Sequence, residues 1–476
     1  MKLSQFKQLT DFRWEIEPYG DMRVPGIIFA SADLLRQMED DVGRQLRAVA
    51  SLPGIRGAAL AMPDAHVGYG FPIGGIGVFD PAEGGVISAG GVGFDIACGV
   101  RCLRTGLHRD DILTVQEELA DTLFAHVPCG VGSTGGIRLS TSEIDDMLKD
   151  GAKWAVRNGY GTQADLDHTE EGGRMPGADP SQVSDTAKKR QRDEMGTLGS
   201  GNHYLEIQYV EEVFDEKAAT AYGLAEGDAV VCIHCGSRGL GHQIGTDYLA
   251  RMLKAMPRHG IPVTDRELAC APAASELGQD YLGAMRSGIN CALANRQIIT
   301  HLVREAFAEV LPEARLSLIY DVSHNTCKEE THRVDGRERR LLVHRKGATR
   351  ALPPGHPSLP HEYAKAGQPA FIGGSMGTAS YILTGTQTGM DDAFGSICHG
   401  AGRAMSRKKA KASFRGREVI EKLHRHGIHI RTSSYKGAAE EAPEAYKDID
   451  MVIDATTGAD IASKVTRMRP LVCVKG

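Results

Sequence analysis

The sequence has no long apolar run, which bears on whether the chain crosses a membrane. No segment reaches the roughly 18–20 consecutive apolar residues that a transmembrane helix needs. Residues 1–17 are polar and contain no apolar core of a secretion signal. We therefore expect no membrane span and a cytoplasmic location.

Linker-like sequence is also missing. No Ser/Gly-rich or Pro-rich spacer divides the 476 residues, so we predict a single large domain over residues 1–476. Residues 158–195 are polar and irregular before they become helical and basic. This pattern predicts a surface insertion or flap within that domain.

The chain has no excess of positive charge. Its formal net charge is −6, which argues against a general nucleic-acid coat protein. Two local basic stretches, 337–350 and 403–417, are either solvated faces or contacts for a polyanion.

A second CxxC pair is missing as well. Cys232 and Cys235 flank His234, but a structural zinc site normally needs two such pairs. We therefore interpret these two cysteines as packing residues and His234 as the candidate ligand. The ten cysteines are scattered, and we expect all of them to be free thiols.

Glycine, by contrast, is abundant, with 57 residues in short clusters. The densest cluster, 84–101, contains one carboxylate, Asp95, and one thiol, Cys98. Glycine lets the backbone adopt positive φ and approach a ligand closely, so both side chains can point at one ion. The alternative is a tight turn that happens to hold an acid and a buried cysteine.

Four histidines share one setting, because each follows an apolar, strand-like run: His203, His234, His324 and His399. With Asp95 and Cys98, the first three offer one carboxylate, one thiolate and three imidazoles. Five such ligands suit two nearby metal ions bridged by the thiolate, and ligand softness alone favours zinc. A single histidine in such a place is more often structural, but four are harder to explain that way.

His399 precedes Gly-Ala-Gly and then Arg403 and Arg407. Exposed backbone N–H groups beside an imidazole and two guanidiniums form a phosphate-binding nest, and histidine can act as a nucleophile. The glycine loop 373–380, with Ser375 and Ser380, offers further phosphate or sugar contacts.

The periodicities predict a mixed α+β fold with central β-sheets and surrounding helices. We expect the site at strand ends and Gly-rich loops. An amphipathic helix is expected over 31–52 with Ser31 as its N-cap, and a long helix over 280–310. Asp335-Gly336 predicts the turn of a β-hairpin.

Nine segments, in this order, resemble the RtcB family of RNA-splicing ligases. They run from near residue 60 to the last residue: 62–75, 90–101, 198–208, 234–243, 320–325, 345–355, 373–383, 399–407 and 474–476. The resemblance implies an RtcB-like fold and a GTP- and manganese-dependent ligase. Such enzymes join RNA 3′-phosphate or 2′,3′-cyclic phosphate ends to 5′-hydroxyl ends in tRNA splicing or RNA repair.

By the same resemblance His399 is guanylylated, and GMP then passes to the RNA to give an RNA-(3′)pp(5′)G end. One Mn²⁺ would be bound by Asp95, Cys98 and His203, and the other by Cys98, His234 and His324. Manganese here replaces the zinc that softness favours. The guanylate pocket would contain Asn202, His203, Tyr204, Leu205, Glu206, His324, Asn325, Gly373, Gly374, Ser375, Met376, Ser380, His399, Gly400, Ala401, Gly402, Tyr446 and Lys475. RNA phosphate would meet Asp64, Arg238, Arg403 and Arg407.

One departure is Cys235, where the family pattern usually has serine, and we expect it to be tolerated. The resemblance implies RNA as partner, possible activation by an archease and a monomeric enzyme. Two other hypotheses remain: a dinuclear metal-dependent phosphoesterase, which has no use for His399 or Lys475, and a non-catalytic RNA-binding protein with a structural metal.

Overall fold

Two large β-sheets form the centre of the computed structural model, which describes residues 1–262 and 265–476. Its strands are β1 Lys7–Thr10, β2 Arg13–Ile16, β3 Gly26–Phe29, β4 Ala59–His66, β5 Ile73–Phe79, β6 Val86–Ser88, β7 Gly99–His108, β8 Tyr204–Val213, β9 Asp228–Cys235, β10 Cys270–Pro272, β11 Ser317–Ser323, β12 Asn325–Val334, β13 Arg337–Lys346, β14 Ala348–Arg350, β15 Pro369–Ile372, β16 Ser380–Gly385, β17 Ser396–Cys398, β18 His429–Thr432 and β19 Ala462–Lys475.

The helices surround these sheets. They are α1 Ala32–Gln37, α2 Asp40–Ala50, α3 Ala89–Val92, α4 Arg109–Thr114, α5 Gln116–His126, α6 Thr141–Asp150, α7 Ala152–Arg157, α8 Gln163–Asp167, α9 Asp185–Gln191, α10 Glu216–Tyr222, α11 Arg238–Ala255, α12 Glu276–Val310, α13 Gln387–Ala393, α14 Arg407–Ser413, α15 Gly416–Arg425, α16 Tyr435–Glu440 and α17 Ile449–Gly458. The predicted α+β class is confirmed. Among the described residues, no helix is both long and apolar enough to span a bilayer.

Strand order explains how distant segments meet. One sheet has the order β1-β2-β3-β4-β5-β13-β12, and the other has the order β11-β7-β9-β8-β19-β16-β15 with β18 paired to β19. In the second sheet, β7 lies between β11 and β9 and pairs with both, although the three strands are far apart in sequence. Side chains at their ends are therefore held side by side.

The long helix and the hairpin agree with prediction. Helix α12 packs along the core, and most of its residues between Gly278 and Phe307 are buried. Strands β12 and β13 pair antiparallel, with Val334 opposite Arg337. Asp335 and Gly336 both have positive φ, as a two-residue hairpin turn requires.

The prediction of one helix over 31–52 is wrong, because the chain forms α1 and α2 instead. Ser31 caps α1 by accepting a hydrogen bond from the Leu34 N–H. Met38 and Glu39 are extended and end the first helix. The Glu39 carboxylate accepts a hydrogen bond from the Val67 N–H, which gives this break a tertiary partner that periodicity cannot reveal.

Residues 158–195, which we predicted to be a surface insertion or flap, include several side chains that are buried in the core. Glu170 is buried, accepts the Ser323 N–H at 3.0 Å and pairs with Lys328 at 2.8 Å. Glu171 accepts hydrogen bonds from Lys328 and Arg350, each at 3.0 Å. Buried ion pairs of this kind fix the segment against β11 and β12.

Replacing Glu171 with glutamine should lower stability in a pH-dependent way. The nearby Lys328 and Arg350 outweigh burial and hold the pKa of Glu171 at about 2. Because the folded-state pKa lies below the unfolded value, this carboxylate stabilises the fold fully above about pH 4.5, and the contribution is lost as the pH falls toward 2. We expect Glu171→Gln to cost about 2 kcal/mol at pH 6 and less at pH 3 in urea unfolding.

Asp454→Asn is the matched control for this prediction. Asp454 pairs with Lys464 at the surface, and its side chain is 64% exposed. Such pairs contribute about 0–1 kcal/mol, so the control should change stability little at either pH. A Glu171→Gln deficit that stays constant from pH 6 to pH 3 would contradict the assigned ion pairs.

Candidate active site

A cavity of about 690 Å³ opens where β9 and β11 end and β7 begins. Cys98 lies just before β7, His234 lies near the end of β9, and His324 follows β11. The strand register places Val100 opposite His234 and Gly99 opposite Ser323. The His324 N–H also donates to the Cys98 carbonyl at 2.8 Å, so the pairing brings all three side chains to one place.

The first group of candidate metal ligands is Asp95, Cys98 and His203, whose ligand atoms all lie within 4.8 Å of one another. The His203 Nε2 atom is 2.7 Å from Asp95 Oδ2 and 3.4 Å from Cys98 Sγ. The second ring nitrogen, Nδ1, is 3.0 Å from the Leu198 carbonyl, which leaves Nε2 to bind a metal.

The second group is Cys98, His234 and His324, again within 4.8 Å. Cys98 Sγ is 3.1 Å from His234 Nε2, which is 3.2 Å from His324 Nε2. Cys98 belongs to both groups, so one sulfur atom lies between two sets of nitrogen and oxygen donors. This donor set fits a pair of divalent cations.

The Asp95 carboxylate fits in its position only because the residue beside it, Gly236, has no side chain. A Cβ at Gly236 would lie 2.2 Å from Asp95 Oδ1, so any larger residue would displace the carboxylate. Arg296, from α12, donates to the carbonyls of Ala97 and Cys235 at 2.7 and 2.9 Å. Arg296 also pairs with buried Asp321, so a single core guanidinium fixes the backbone beside two of the ligands.

The protonation states of Asp95, His234 and His324 suit cation binding, whereas Cys98 and His203 must each lose a proton when a metal binds. Burial raises the pKa of the Cys98 thiol to about 12, with a further contribution from Asp95. Burial opposes the charge of Asp95, but His203 outweighs it and holds the pKa of Asp95 at about 2. Burial and neighbouring histidines lower the pKa of His234 and of His324, so both rings are neutral, which is the form that binds metal.

His399 lines the same cavity beside the second group. Its ring centroid is 4.9 Å from that of His324. Its Nδ1 is 2.6 Å from Oδ2 of Asp64, a carboxylate that also accepts the His399 N–H at 3.0 Å. Burial opposes ionisation of Asp64, but the pair with His399 outweighs it and keeps the pKa of this carboxyl below its ordinary value.

Asp64 therefore differs from the RNA contact that we expected. Its side chain is fully buried behind His399, and a buried carboxylate offers nothing to a phosphate. With Nδ1 held by Asp64, the Nε2 atom of His399 is free to react. This arrangement resembles the carboxylate–imidazole pairs that fix a catalytic histidine in one tautomer.

Most residues expected around guanylate do line the cavity: Asn202, Tyr204, Glu206, His324, Asn325, Gly373, Gly374, Ser375, Met376, His399, Gly400, Ala401, Gly402, Tyr446 and Lys475. Three do not. Leu205 packs in a hydrophobic cluster, His203 is itself a member of the first ligand group, and the Ser380 hydroxyl accepts the Gly374 N–H at 3.3 Å. Ser380 thus supports the glycine loop from behind.

The three arginines expected to bind RNA phosphate differ in their exposure and in the partners that their guanidinium groups already have. Arg403 stacks on Tyr446 at 5.0 Å and pairs with Glu441 at 3.2 Å, so part of its charge is already neutralised. Arg407 lines the cavity and is 55% exposed, with Glu440 at 3.0 Å. Arg238 is half-buried, and its Nε donates to Thr197 Oγ1 at 3.1 Å.

Comparison with known proteins gives the same result as the motifs. Residues 45–476 match the family model described as tRNA-splicing ligase RtcB. The chain belongs to the RtcB family. Membership of this family makes the chain an enzyme, an RNA ligase.

Three archaeal relatives are named tRNA-splicing ligase RtcB. That from Thermococcus kodakarensis is 52% identical over 476 residues, and the alignment covers 99% of this chain and 98% of the relative. That from Archaeoglobus fulgidus has the same identity and coverage. That from Pyrobaculum aerophilum is 48% identical over 485 residues, with both chains fully covered.

Cys235, the departure from the usual RtcB pattern, lies outside the cavity. Its Sγ is 3.1 Å from the Leu198 carbonyl and accepts from Asn295 Nδ2 at 3.3 Å. All ten cysteines are free. The Cys235 thiol thus makes hydrogen bonds that a serine hydroxyl would also make, and its tolerance stays a prediction.

Sequence reasoning missed several residues of the cavity wall, among them Tyr69, Phe94, His242 and Lys346. All four lie within motifs already quoted for the family, so the motif matches alone did not separate them from their neighbours. The signal that marks Phe94 is an aromatic residue between Gly93 and Asp95, inside the glycine-dense segment.

Proposed function

We propose that this chain is a GTP- and Mn²⁺-dependent RNA ligase that acts through guanylylated His399. The observation that carries the proposal is the position of His399. Its Nδ1 is held by a buried carboxylate, while the ring lines a cavity shared with two metal-ligand groups that meet at Cys98.

Asp95, Cys98 and His203 would hold one Mn²⁺, and Cys98, His234 and His324 the other. Bound there, the ions would polarise phosphoryl oxygens and offset developing negative charge. Lys475 extends over the Tyr204 ring at 5.9 Å and lines the cavity, where its ammonium can bind nucleotide phosphate.

In the first step, His399 Nε2 attacks the α-phosphorus of GTP. An N–P bond forms, the bond to the β-phosphate oxygen breaks, and pyrophosphate leaves with the electron pair. Asp64 holds the Nδ1 proton and stabilises the positive charge that develops on the ring. Glu206, at the cavity wall, offers carboxylate oxygens to the N–H donors of guanine.

In the second step, an oxygen of the RNA 3′-phosphate attacks the guanylate phosphorus, and the N–P bond breaks to release His399. The product is RNA-(3′)pp(5′)G. The 5′-hydroxyl oxygen of the other RNA then attacks the RNA 3′-phosphorus, loses its proton and displaces GMP. A 2′,3′-cyclic phosphate enters this sequence after water opens the ring.

RNA is thus the proposed partner, as tRNA halves or broken RNA under repair, in the cytoplasm and with a monomeric enzyme. Activation by an archease belongs to the same proposal, since the family resemblance implies it. A dinuclear phosphoesterase explains the metal ligands but gives no role to Asp64, His399 or Lys475.

Labelling with GTP tests the proposal. The protein is incubated with Mn²⁺ and GTP labelled at the α-phosphate, and then with RNA strands that end in a 3′-phosphate and a 5′-hydroxyl. We expect label on the protein that acid removes and base does not, as for a phosphoramidate, followed by joined RNA. A phosphoesterase would give dephosphorylated RNA and unlabelled protein, and an RNA-binding protein would give neither product.

A further inference from the structure

Three aromatic rings form a continuous surface along one wall of the cavity. Tyr69 meets Phe94 edge to face, with ring centroids 5.2 Å apart. Phe94 stacks on His242, with centroids 5.0 Å apart and planes 24° from parallel. All three line the cavity, and Tyr69 is 38% exposed. We call this set the aromatic wall.

The aromatic wall serves no evident packing role. Neither Tyr69 nor Phe94 belongs to the hydrophobic clusters that form the core. An aromatic ring exposed to a polar cavity loses the benefit of burial unless a ligand covers it. The proposed guanylylation step gives these rings no role either.

A lysine lies beside the aromatic wall. Lys346, at the end of β13, is 6% exposed, and its Nζ donates to the Tyr69 carbonyl at 2.7 Å. Among the described residues, this ammonium takes part in no salt bridge, and its hydrogen bond is to that carbonyl. Burial lowers the pKa of Lys346 to about 7, against the opposite effect of Glu267 and Asp265.

A buried ammonium with unused donors next to exposed rings matches the chemistry of a nucleotide. The base offers a π-face for stacking, and the phosphate offers oxygens to the lysine. Glu39 precedes α2 and also lines the cavity. Its carboxylate already accepts a hydrogen bond from the Val67 N–H.

The aromatic wall is joined directly to the metal-ligand groups. Phe94 is the residue before Asp95, and Lys346 is followed by Gly347, where a Cβ would lie 3.1 Å from the His399 ring. The residues expected around guanylate do not include the aromatic wall; among them, Gly373 pairs with Gly400 and lies beside the Tyr204 hydroxyl. Guanylate therefore leaves the aromatic wall free.

We propose that the aromatic wall stacks a nucleobase of an RNA end at the ligation junction, while Lys346 binds the phosphate of that nucleotide. This inference rests on the proposed ligase function, which brings RNA ends to His399. It adds a binding subsite that gives the enzyme affinity for single-stranded ends of any sequence, because every base has a π-face.

Fluorescent RNA ends test the proposal. One strand carries 2-aminopurine as the last nucleotide before a 3′-phosphate, and another carries it as the first nucleotide after a 5′-hydroxyl. Stacking on an aromatic ring quenches this base. With saturating protein and Mn²⁺, we expect one of the two probes to be quenched, and the quenched strand identifies which RNA end occupies the wall.

Tyr69→Leu should relieve the quenching and weaken binding of that strand about 10-fold, because one stacking ring is lost. Tyr69→Phe keeps the ring and is the matched control, with an expected change below about 2-fold. Lys346→Met should weaken binding and make the dependence of log Kd on log salt shallower by about 0.7, as for one lost phosphate contact. Thermal unfolding of each variant checks that the fold is intact.

Unquenched probes with wild-type protein, or equal quenching in wild type and Tyr69→Leu, would overturn the proposal. GTP labelling of the same wild-type preparation separates this failure from a failure of the ligase function. Labelled protein with an indifferent Tyr69→Leu variant refutes the aromatic wall alone. Unlabelled protein refutes the guanylylation proposal, whatever the fluorescence shows.

Discussion

Replacing His399 with alanine is expected to reduce protein labelling by GTP to background and to abolish RNA joining. Two of the other imidazoles that line the cavity, His234 and His324, belong to the metal-ligand groups. The other two are His242, which stacks on Phe94, and His66, whose Nδ1 is 3.1 Å from the Asp64 carbonyl, and neither is paired with a buried carboxylate as His399 is. Without the ring there is no atom at which the guanylate bond can form. Gel autoradiography after incubation with α-labelled GTP measures the effect directly.

One further variant and one further substrate make this result specific. Asp64→Asn keeps the His399 ring but removes the charge on its Nδ1 side, so labelling should slow by about 10²- to 10⁴-fold without vanishing. A preformed RNA-(3′)pp(5′)G strand should still be joined by His399→Ala, because that step follows the release of the histidine. Labelling that survives in His399→Ala would show that another residue carries the guanylate.

Cys98→Ala is expected to remove both metal ions together. Its sulfur belongs to both ligand groups, so the change leaves two protein ligands at each site where three were available. We expect Mn²⁺ affinity to fall by more than about 10²-fold and guanylylation to be lost with it. Isothermal titration with Mn²⁺ and GTP labelling on one preparation measure the two effects side by side.

Cys235→Ser is the matched control for Cys98→Ala. Both cysteines are buried near His234, but the Cys235 sulfur contacts Leu198 and Asn295 rather than the ligand atoms. Metal affinity and labelling should therefore stay within about 3-fold of wild type. Loss of only one equivalent of Mn²⁺ in Cys98→Ala would mean that the sulfur serves a single site.

The candidate ligands could be predicted because each carries a local signal. His234 and His324 both follow apolar strand-like runs, and Cys98 lies in a glycine-dense segment. Their convergence could not be predicted from these signals, because it depends on β7 lying between β9 and β11. Strand order is set by packing across the whole sheet, and periodicity within one strand carries no information about it.

Other features depend on partners that are distant in sequence. Asp64 looks like a loop acid until the fold places it behind His399, 335 residues away. The segment 158–195 looks like a surface flap because it is polar, yet Glu170 is buried where Lys328 neutralises it. Composition predicts exposure for charged residues on average, and it fails where ion pairs cross between segments.

The candidate metal ligands lie at neighbouring ends of β11, β7 and β9, so the amount of metal that the protein binds would show whether these strands are correctly aligned. A shift of β9 by one residue would turn His234 away from the cavity and bring Ile233 to its place. Length changes in these strands are therefore tolerable only at the ends remote from the cavity, near Asp228 and His108. The hairpin of β1 and β2, by contrast, lies at the edge of the other sheet, so we expect changes there to leave the proposed metal sites unaffected.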